Sequence, residues 1–300
     1  DWLTKNKDEI DFAYLNRPHI AIKYIDFIKK NTNIKVIYYG HDLHFLREYR
    51  EYELTGDIKK KRESDYWKSI EFSLMEKAAV SYYPSYVEEE AIHAIHPEYK
   101  IRAITAYVYE KFLENIDKDF AKREGLLFVG GFAHPPNADA VLWFAKEIFP
   151  LIRQKINVNF YVVGSKVTDE IKALEQPGSG IIVKGFVTEE ELASLYSTSR
   201  IVVVPLRYGA GVKGKVVEAV YNGSAIVTTS IGSEGIPEAE RVMKVADGPE
   251  AFADEVVKMY EDPTECRRMC EETQKYIREY FSVEAAWKVI EEDFTPEKKR

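Results

Sequence analysis

The sequence predicts an α/β protein built on parallel sheets with helices packed against both faces. Three features carry that prediction. Short apolar runs alternate with helix-period segments along most of the 300 residues, the order that yields strand–helix–strand units. The runs are continuously apolar, as in LLFVG at 126–130 and IVVVPL at 201–206, which suits strands buried on both faces. Several end in glycine, at Gly40, Gly131, Gly164 and Gly185, where a chain can turn sharply out of a sheet.

The second half is the more regular. Residues 126–130 form a strand, 137–152 a helix with Ala140, Val141, Phe144, Ile148 and Leu151 on its apolar face, and 160–163 a strand. A short helix at 170–174 precedes the turn Pro177-Gly178, and a strand follows at 181–183. Thr188 is placed to cap a helix ending near Tyr196, with Glu191 at the capping-box position. Next come a strand at 201–206, a helix at 216–221 and a strand at 225–229. Two helices, 250–260 and 265–280, flank Asp262-Pro263.

The first half follows the same grammar less strictly. Strands are expected at 12–15, 35–39, 80–83 and 102–107, and helices at 18–30, 67–78 and 87–95. The charged segment 111–124 reads as a linker between domains at 1–110 and 125–281, and 282–294 as a terminal helix with Trp287 and Ile290 on one face. A first domain of ~110 residues is short for a doubly wound unit, and the chain opens on Asp1. The expectation is a first domain that lacks its beginning, in a chain excised from something longer.

Composition excludes several functions. No apolar run approaches the ~18–20 residues of a membrane span, and no secretory signal opens the chain. A net charge of −8 argues against general nucleic-acid binding. Cys266 and Cys270 lie one helical turn apart in a charged segment without further zinc ligands, so they read as exposed free thiols in a reducing cytoplasm. The basic run Lys59-Lys60-Lys61-Arg62 reads first as a solvated loop. It also permits peripheral contact with anionic lipid phosphates.

Chemistry concentrates in residues 201–235, IVVVPLRYGAGVKGKVVEAVYNGSAIVTTSIGSEG. A strand ends in a glycine-rich turn with Gly209, Gly211 and Gly214, then a helix begins, and Lys213 and Lys215 stand at its start. Free backbone N–H groups, the positive helix end and two ammonium groups converge there, a combination suited to phosphate. The same loop satisfies G-x-G-x-x-G, the dinucleotide fingerprint. That fingerprint normally opens a first βαβ unit and wants an acid at the end of the next strand, whereas this strand ends in Thr229-Ser230.

The pattern GAGVKGKVVEA, followed by glycine, an apolar strand and TSIGSEG, resembles the donor site of GT4-family retaining glycosyltransferases of the bacterial surface-polysaccharide branch. The resemblance implies the GT-B fold, two Rossmann-like doubly wound domains facing a cleft, with a terminal helix (282–300) crossing back to the first. It implies that Glu218 binds the ribose of a nucleotide-sugar and that Lys213, Lys215 and the amides around Gly211 and Gly214 bind its pyrophosphate. Many members carry another glutamate where this chain has Ala210, so donor-sugar contact must come from elsewhere. His41, in Gly40-His41-Asp42 at a strand end, matches a histidine that faces the donor sugar; His44 reads as a helix-face residue. Gly131 opens the loop where relatives grip pyrophosphate, and Asn137 would cap the helix that follows. Gly185 and Phe186 match the place where backbone groups read the nucleobase.

The expected activity is transfer of a hexose-type sugar from a nucleoside-diphosphate-sugar to a glycan or lipid-linked acceptor, with retention, in the cytoplasm or at the inner membrane face. Fixed cations would neutralise the leaving pyrophosphate, so neither metal nor cofactor is expected. The near match to a metal-binding Asp-x-Asp pair, Asp117-Lys118-Asp119, reads as a solvated charge cluster. A nucleotide-sugar-binding module without catalysis and a sugar-nucleotide epimerase of the same fold stay open as alternatives.

Overall fold

The computed structural model describes residues 2–209 and 211–294. They divide into two compact units: one from Asp1–Val108, Tyr208–Val212 and Ser282–Arg300, the other from Tyr109–Arg207 and Lys213–Phe281.

The first unit holds a parallel sheet of β1 (Phe12–Asn16), β2 (Lys35–Tyr39), β3 (Val80–Tyr83) and β4 (Ile101–Ala103), in that order. β4 is shorter than expected because the Thr105 hydroxyl turns back to accept from the Tyr107 N–H at 3.1 Å, a local bond that competes with the ladder. The expected helix at 18–30 divides into Pro18–Ala21 and α1 (Ile25–Asn31). Between them Lys23 and Tyr24 donate to Ile20 and Ala21, three residues back, tightening one turn while Ala21, Ile25 and Ile28 all stay in the core.

A helical hairpin fills 44–77, where only its last third was expected as helix. α2 (His44–Thr55) stops at Gly56, whose φ is +71°, and α3 (Ile58–Lys77) starts behind Asp57, whose carboxylate accepts from the Lys59 N–H at 2.9 Å. Residues 59–62 are therefore the first turns of a helix, not a loop. Lys60 donates to Glu48 at 2.7 Å and Lys61 to Asp65 at 2.7 Å, so half of the basic run is locally neutralised. α4 (Tyr86–His93) begins with a capping box made by Ser85 and Glu88.

The terminal helix Val283–Ile290, capped by Ser282, belongs to this first unit. Val289, Ile290 and Phe294 pack on Ile37, Tyr39, Val80 and Tyr82. Trp287, expected beside Ile290, is instead 55% exposed. Buried Asp293 anchors the end, accepting from Tyr82 at 2.6 Å and Lys100 at 2.5 Å.

The second unit is a six-stranded parallel sheet in the order β10-β9-β8-β5-β6-β7. Its strands are β5 (Leu126–Val129), β6 (Phe160–Val163), β7 (Ile181–Gly185), β8 (Ile201–Val204), β9 (Ala225–Thr228) and β10 (Lys244–Val245). β10, only two residues long, escapes a pattern-based reading. α5 (Pro135–Trp143) continues through a π-helical segment, Phe144–Ile148, where the Phe149 N–H reaches back to Phe144. The wider turn accommodates Pro150, which could not continue a regular ladder. α6 (Glu189–Thr198) is capped by the Thr188 hydroxyl at 3.2 Å from the Glu191 N–H, while the Glu191 carboxylate pairs with Lys184. α7 (Gly214–Tyr221), α8 (Pro249–Glu261) and α9 (Pro263–Phe281) complete the covering layers.

Two expectations are corrected in this unit. Cys266 and Cys270 are buried, not exposed. They share an inner stripe of α9 with Met269, Thr273, Tyr276 and Ile277, and burial pushes the Cys266 thiol up to about 12. Residues 111–124 lack helix and strand, but their second half is no loose tether. Phe120 is buried with the Arg123 guanidinium 4.0 Å from its ring centroid, and Arg123 donates to the carbonyls of Tyr196 and Asp117.

Candidate functional site

Strand order places a switch point in the second unit. From β5 the chain steps to β6 and β7 on one side, then returns to lay β8 on the other. The loops leaving β5 and β8 therefore diverge, and open parallel sheets bind ligands in the crevice this creates. Gly130, Gly131 and Asn137 follow β5; Lys213, Gly214 and Lys215 follow β8.

These residues meet through Lys215. Its ammonium donates to Asn137 Oδ1 and lies 4.5 Å from the Phe128 ring centroid. Asn137 in turn donates through Nδ2 to the Gly131 carbonyl at 2.7 Å. Asn137 does not cap α5. Pro135 and Pro136 open that helix with His134 at the cap position, and Asn137 is its third residue, turned toward the lysine.

Among the described residues, no carboxylate comes within ion-pair distance of Lys215. Burial, with the charge of Lys213 adding to it, pulls the Lys215 pKa down to about 7. A cation held this way is costly until an anion joins it. The space is reserved by glycine: a Cβ at Gly130 would stand 2.7 Å from Lys215 Nζ, and one at Gly164 would overlap the Gly130 carbonyl. Gly164 donates to the carbonyl of Gly185 at 2.8 Å, which links the end of β7 to the same neighbourhood. Gly185 has φ +69°, and Phe186 beside it is 82% exposed.

Lys213 occupies the cap position of α7 without a side-chain cap bond, and Gly214 opens the helix, so the helix N–H groups are offered to a ligand. One turn on, Glu218 faces Tyr196. Burial raises the Glu218 pKa, although the Tyr196 hydroxyl opposes the shift. Tyr221, three residues past Glu218, stacks on Tyr109 with ring centroids 4.2 Å apart.

His41 and Gly211 lie in the first unit. Gly211 takes φ +74°, and a Cβ there would sit 3.2 Å from Glu88 Oε1. His41 follows Gly40, where any side chain would overlap the Tyr83 ring, and itself has φ +70°. Its Nε2 bonds Asn16 Oδ1 and its ring stands edge-on to Tyr39 at 4.7 Å. Burial first and Arg17 second lower the His41 pKa, favouring the neutral imidazole.

His44 is more than a helix-face residue. Buried Glu71 accepts from the His44 N–H at 2.9 Å, the Phe45 N–H at 3.2 Å and His44 Nδ1 at 3.2 Å, capping α2 from α3. Burial alone pulls the His44 pKa down, but Glu71 and Asp42 outweigh it and the net shift is upward. Arg47 closes the network on Asp42. Sequence reasoning missed Glu71; the available signal was an acid at the apolar spacing 67-71-74. Asp117 and Asp119 are occupied locally, with Lys122 2.7 Å from Asp119. No group of three or more His, Cys, Asp or Glu that could hold a metal occurs among the described residues, nor is any helix there long and apolar enough to cross a membrane.

Residues 123–262 match the family described as glycosyl transferases group 1. An uncharacterized 44.6 kDa protein of the Klebsiella pneumoniae cps region is 31% identical over 116 residues, 37% of this chain and 30% of that protein. The match thus spans under a third of its relative's length. Sucrose-phosphate synthase from Thermosynechococcus elongatus has a similar structure, with TM-score 0.75, 17% identity, and coverage of 95% of this chain and 73% of that one. TarM of S. aureus, solved with fondaparinux, α-GlcNAc-glycerol and UDP, gives 0.72 at 13% identity over 97% and 57%. HepE of Anabaena, solved with UDP, gives 0.70 at 13% over 97% and 80%. These likenesses show the fold, that of GT-B glycosyltransferase structures.

Proposed function

We propose that this chain moves a sugar from a nucleoside-diphosphate-sugar to a glycan or lipid-linked acceptor with retention of configuration. The observation that carries the reading is Lys215, a part-buried ammonium group without a carboxylate partner among the described residues, at the start of a helix on a switch-point crevice. An anion is the ligand this arrangement lacks. Lys213 and the first N–H groups of α7 would share the pyrophosphate with it. Glu218, one turn deeper, would accept from the ribose hydroxyls, and the exposed Gly185-Phe186 turn would meet the base. The UDP held in two proteins of similar fold supports the ligand class.

In the step itself, the bond between the anomeric carbon and the phosphate oxygen breaks. The acceptor oxygen forms its bond on the same face, and its proton passes to the departing phosphate. Charge grows on the diphosphate as it leaves, and Lys213, Lys215 and the helix end stabilise it. The neutral His41 imidazole would hydrogen-bond a sugar hydroxyl. No metal enters this scheme.

The test is release of nucleoside diphosphate from UDP-, GDP- and dTDP-sugars, with an acceptor panel and excess chelator, and NMR of the product's anomeric centre. Turnover that survives chelator with retained configuration is expected. An inverted product, a rate that returns only with magnesium or manganese, or a changed free sugar-nucleotide would contradict the corresponding part. Binding without turnover would favour the non-catalytic module, which Ala210 motivates.

A further inference from the structure

His41 stands in the left-handed region, with φ +70°. A residue with a side chain rarely adopts that conformation, and keeps it only where its surroundings fix it. Its ring lines a cavity of about 290 Å³ with Tyr14, Asn16, Tyr39 and Thr105. Asn16 Oδ1 takes the Nε2 proton, so the neutral ring offers Nδ1 as an acceptor, and protonation would turn that acceptor into a donor. What holds the turn, and what holds the ring neutral, are therefore both questions about Asp42, the next residue.

Asp42 is gripped from α2. Its carboxylate accepts from Arg47 Nη1 and lies 3.4 Å from His44 Nδ1, and its carbonyl is 3.3 Å from the same nitrogen. Both partners are themselves anchored. His44 Nδ1 also meets buried Glu71 of α3 at 3.2 Å, and the His44 ring centroid is 4.9 Å from that of Trp67. Glu48 accepts from Arg47 Nε at 3.2 Å and Nη2 at 3.1 Å, and Lys60 in turn holds Glu48. Among the described residues, Asp42 makes no bond to His41.

A loose carboxylate one residue from an imidazole would draw a proton onto it. Burial first, then Arg17, lower the His41 pKa; Asp42 pulls it upward and His44 pushes it down. Against burial, Glu71 and Asp42 raise the His44 pKa, which keeps a positive charge beside Asp42 to higher pH. Glu88 stands across Gly211 from Asp42 and the His41 carbonyl. Burial raises the pKa of Tyr14, Tyr39 and Tyr82, so those neighbours stay uncharged.

We propose that Arg47 and His44 are positioning residues for His41: by engaging both the carboxylate and the carbonyl of Asp42, they fix the left-handed turn and withhold the Asp42 charge from the imidazole. His41 then meets its ligand as a neutral ring with an acceptor nitrogen. The inference takes the use of that ring from the sugar-transfer reading, whereas the network itself is independent of the ligand. Removing the Arg47 charge frees the carboxylate to act on His41, and a replacement cation restores the grip.

The experiment is a histidine-ring NMR titration of the whole chain without ligand, with His41→Gln and His44→Gln assigning the signals. His41 should titrate below, and His44 above, the ordinary histidine value of about 6.5. Arg47→Met should raise the His41 midpoint by about 0.5–1 pH unit, roughly three- to tenfold in proton affinity. Arg47→Lys should keep the midpoint near the wild-type value, and Asp42→Asn added to Arg47→Met should bring it back down. A merely structural role would lower the melting temperature of these variants and leave the midpoint still. An unmoved midpoint in folded Arg47→Met, or one that stays raised once Asp42 is neutralised, would overturn the proposal. If Arg47→Met does not fold, Arg47→Gln, uncharged but still able to donate, is read in its place. Turnover of nucleotide-sugars by His41→Gln is measured separately. Normal turnover there would count against the role of His41 in sugar transfer, and the titration alone decides the network.

Discussion

At the carboxyl end of β2 the chain sets an amide, tyrosine rings and an imidazole kept neutral by burial. At the carboxyl end of β8 it sets two ammonium groups and the start of a helix. Both positions are turns out of parallel sheets, and in both glycine makes the room, Gly40 against Tyr83 and Gly130 against Lys215. The backbone topology is therefore common to the two, and the side chains on the following loop decide what is bound. A part-buried cation selects an anion, whereas an uncharged lining offers it no counter-charge.

The largest expected effect would separate the two regions by stability. Glu71→Ala removes the carboxylate that holds the His44 and Phe45 N–H groups and leaves them buried. It should destabilise the first unit by about 3 kcal/mol in chemical denaturation, while UDP affinity stays within error. A fall in UDP affinity would break the separation.

Next, Lys215→Met should weaken binding of a nucleoside diphosphate by roughly 10–100-fold, the loss of a charge-assisted contact of ~1.5–3 kcal/mol. The melting temperature of the unliganded protein should hold or rise, because an uncompensated buried amine is gone. Calorimetry and a thermal scan of one variant test both signs together.

A pH dependence follows from the same group. With a folded pKa of about 7, below the ordinary lysine value, Lys215 releases its proton in a range where the unfolded chain keeps it. The unfolded state then binds more protons, so this group makes stability rise with pH from about 7 toward the usual lysine range. Anion binding must restore the proton, so UDP affinity should fall over that window, by at most about tenfold per pH unit. Calorimetry at alkaline pH in buffers of different ionisation heat should detect the uptake; no uptake would remove Lys215 from the contact.

The smallest effect concerns shape alone. Gly130→Ala sets a methyl 2.7 Å from Lys215 Nζ, and the flexible amine can give way. A loss of roughly 0.5–1 kcal/mol, about two- to fivefold in UDP affinity, is expected.

The sheets were legible because continuous apolar runs between glycines have few other readings. Strands Lys35–Tyr39, Val80–Tyr83 and Phe160–Val163 stand where the pattern puts them. The hairpin at 44–77 was obscured because its buried faces include Glu48, Ser64 and Glu71, polar groups whose partners include Lys60, Phe45 and His44, on the other helix of the hairpin. The same disguise hid Cys266 and Cys270, whose inward stripe is interleaved with charged outer residues. Lys215 was visible as part of a loop pattern. Its bond to Asn137 was not, since the two are 78 residues apart and meet only through the strand order. The cavity at Tyr39 left no motif, because its lining comes from β1, β2, β3, the residues just past β4, and the C-terminal segment at Ile290 and Phe294.

The most direct test of the central claim is calorimetric titration of the chain with UDP, GDP, dTDP and NAD, repeated on Lys215→Met and Glu218→Ala. The account predicts that at least one nucleoside diphosphate binds, that both substitutions weaken it by tenfold or more, and that NAD does not compete. Binding of NAD alone, or nucleotide binding indifferent to both substitutions, would contradict it.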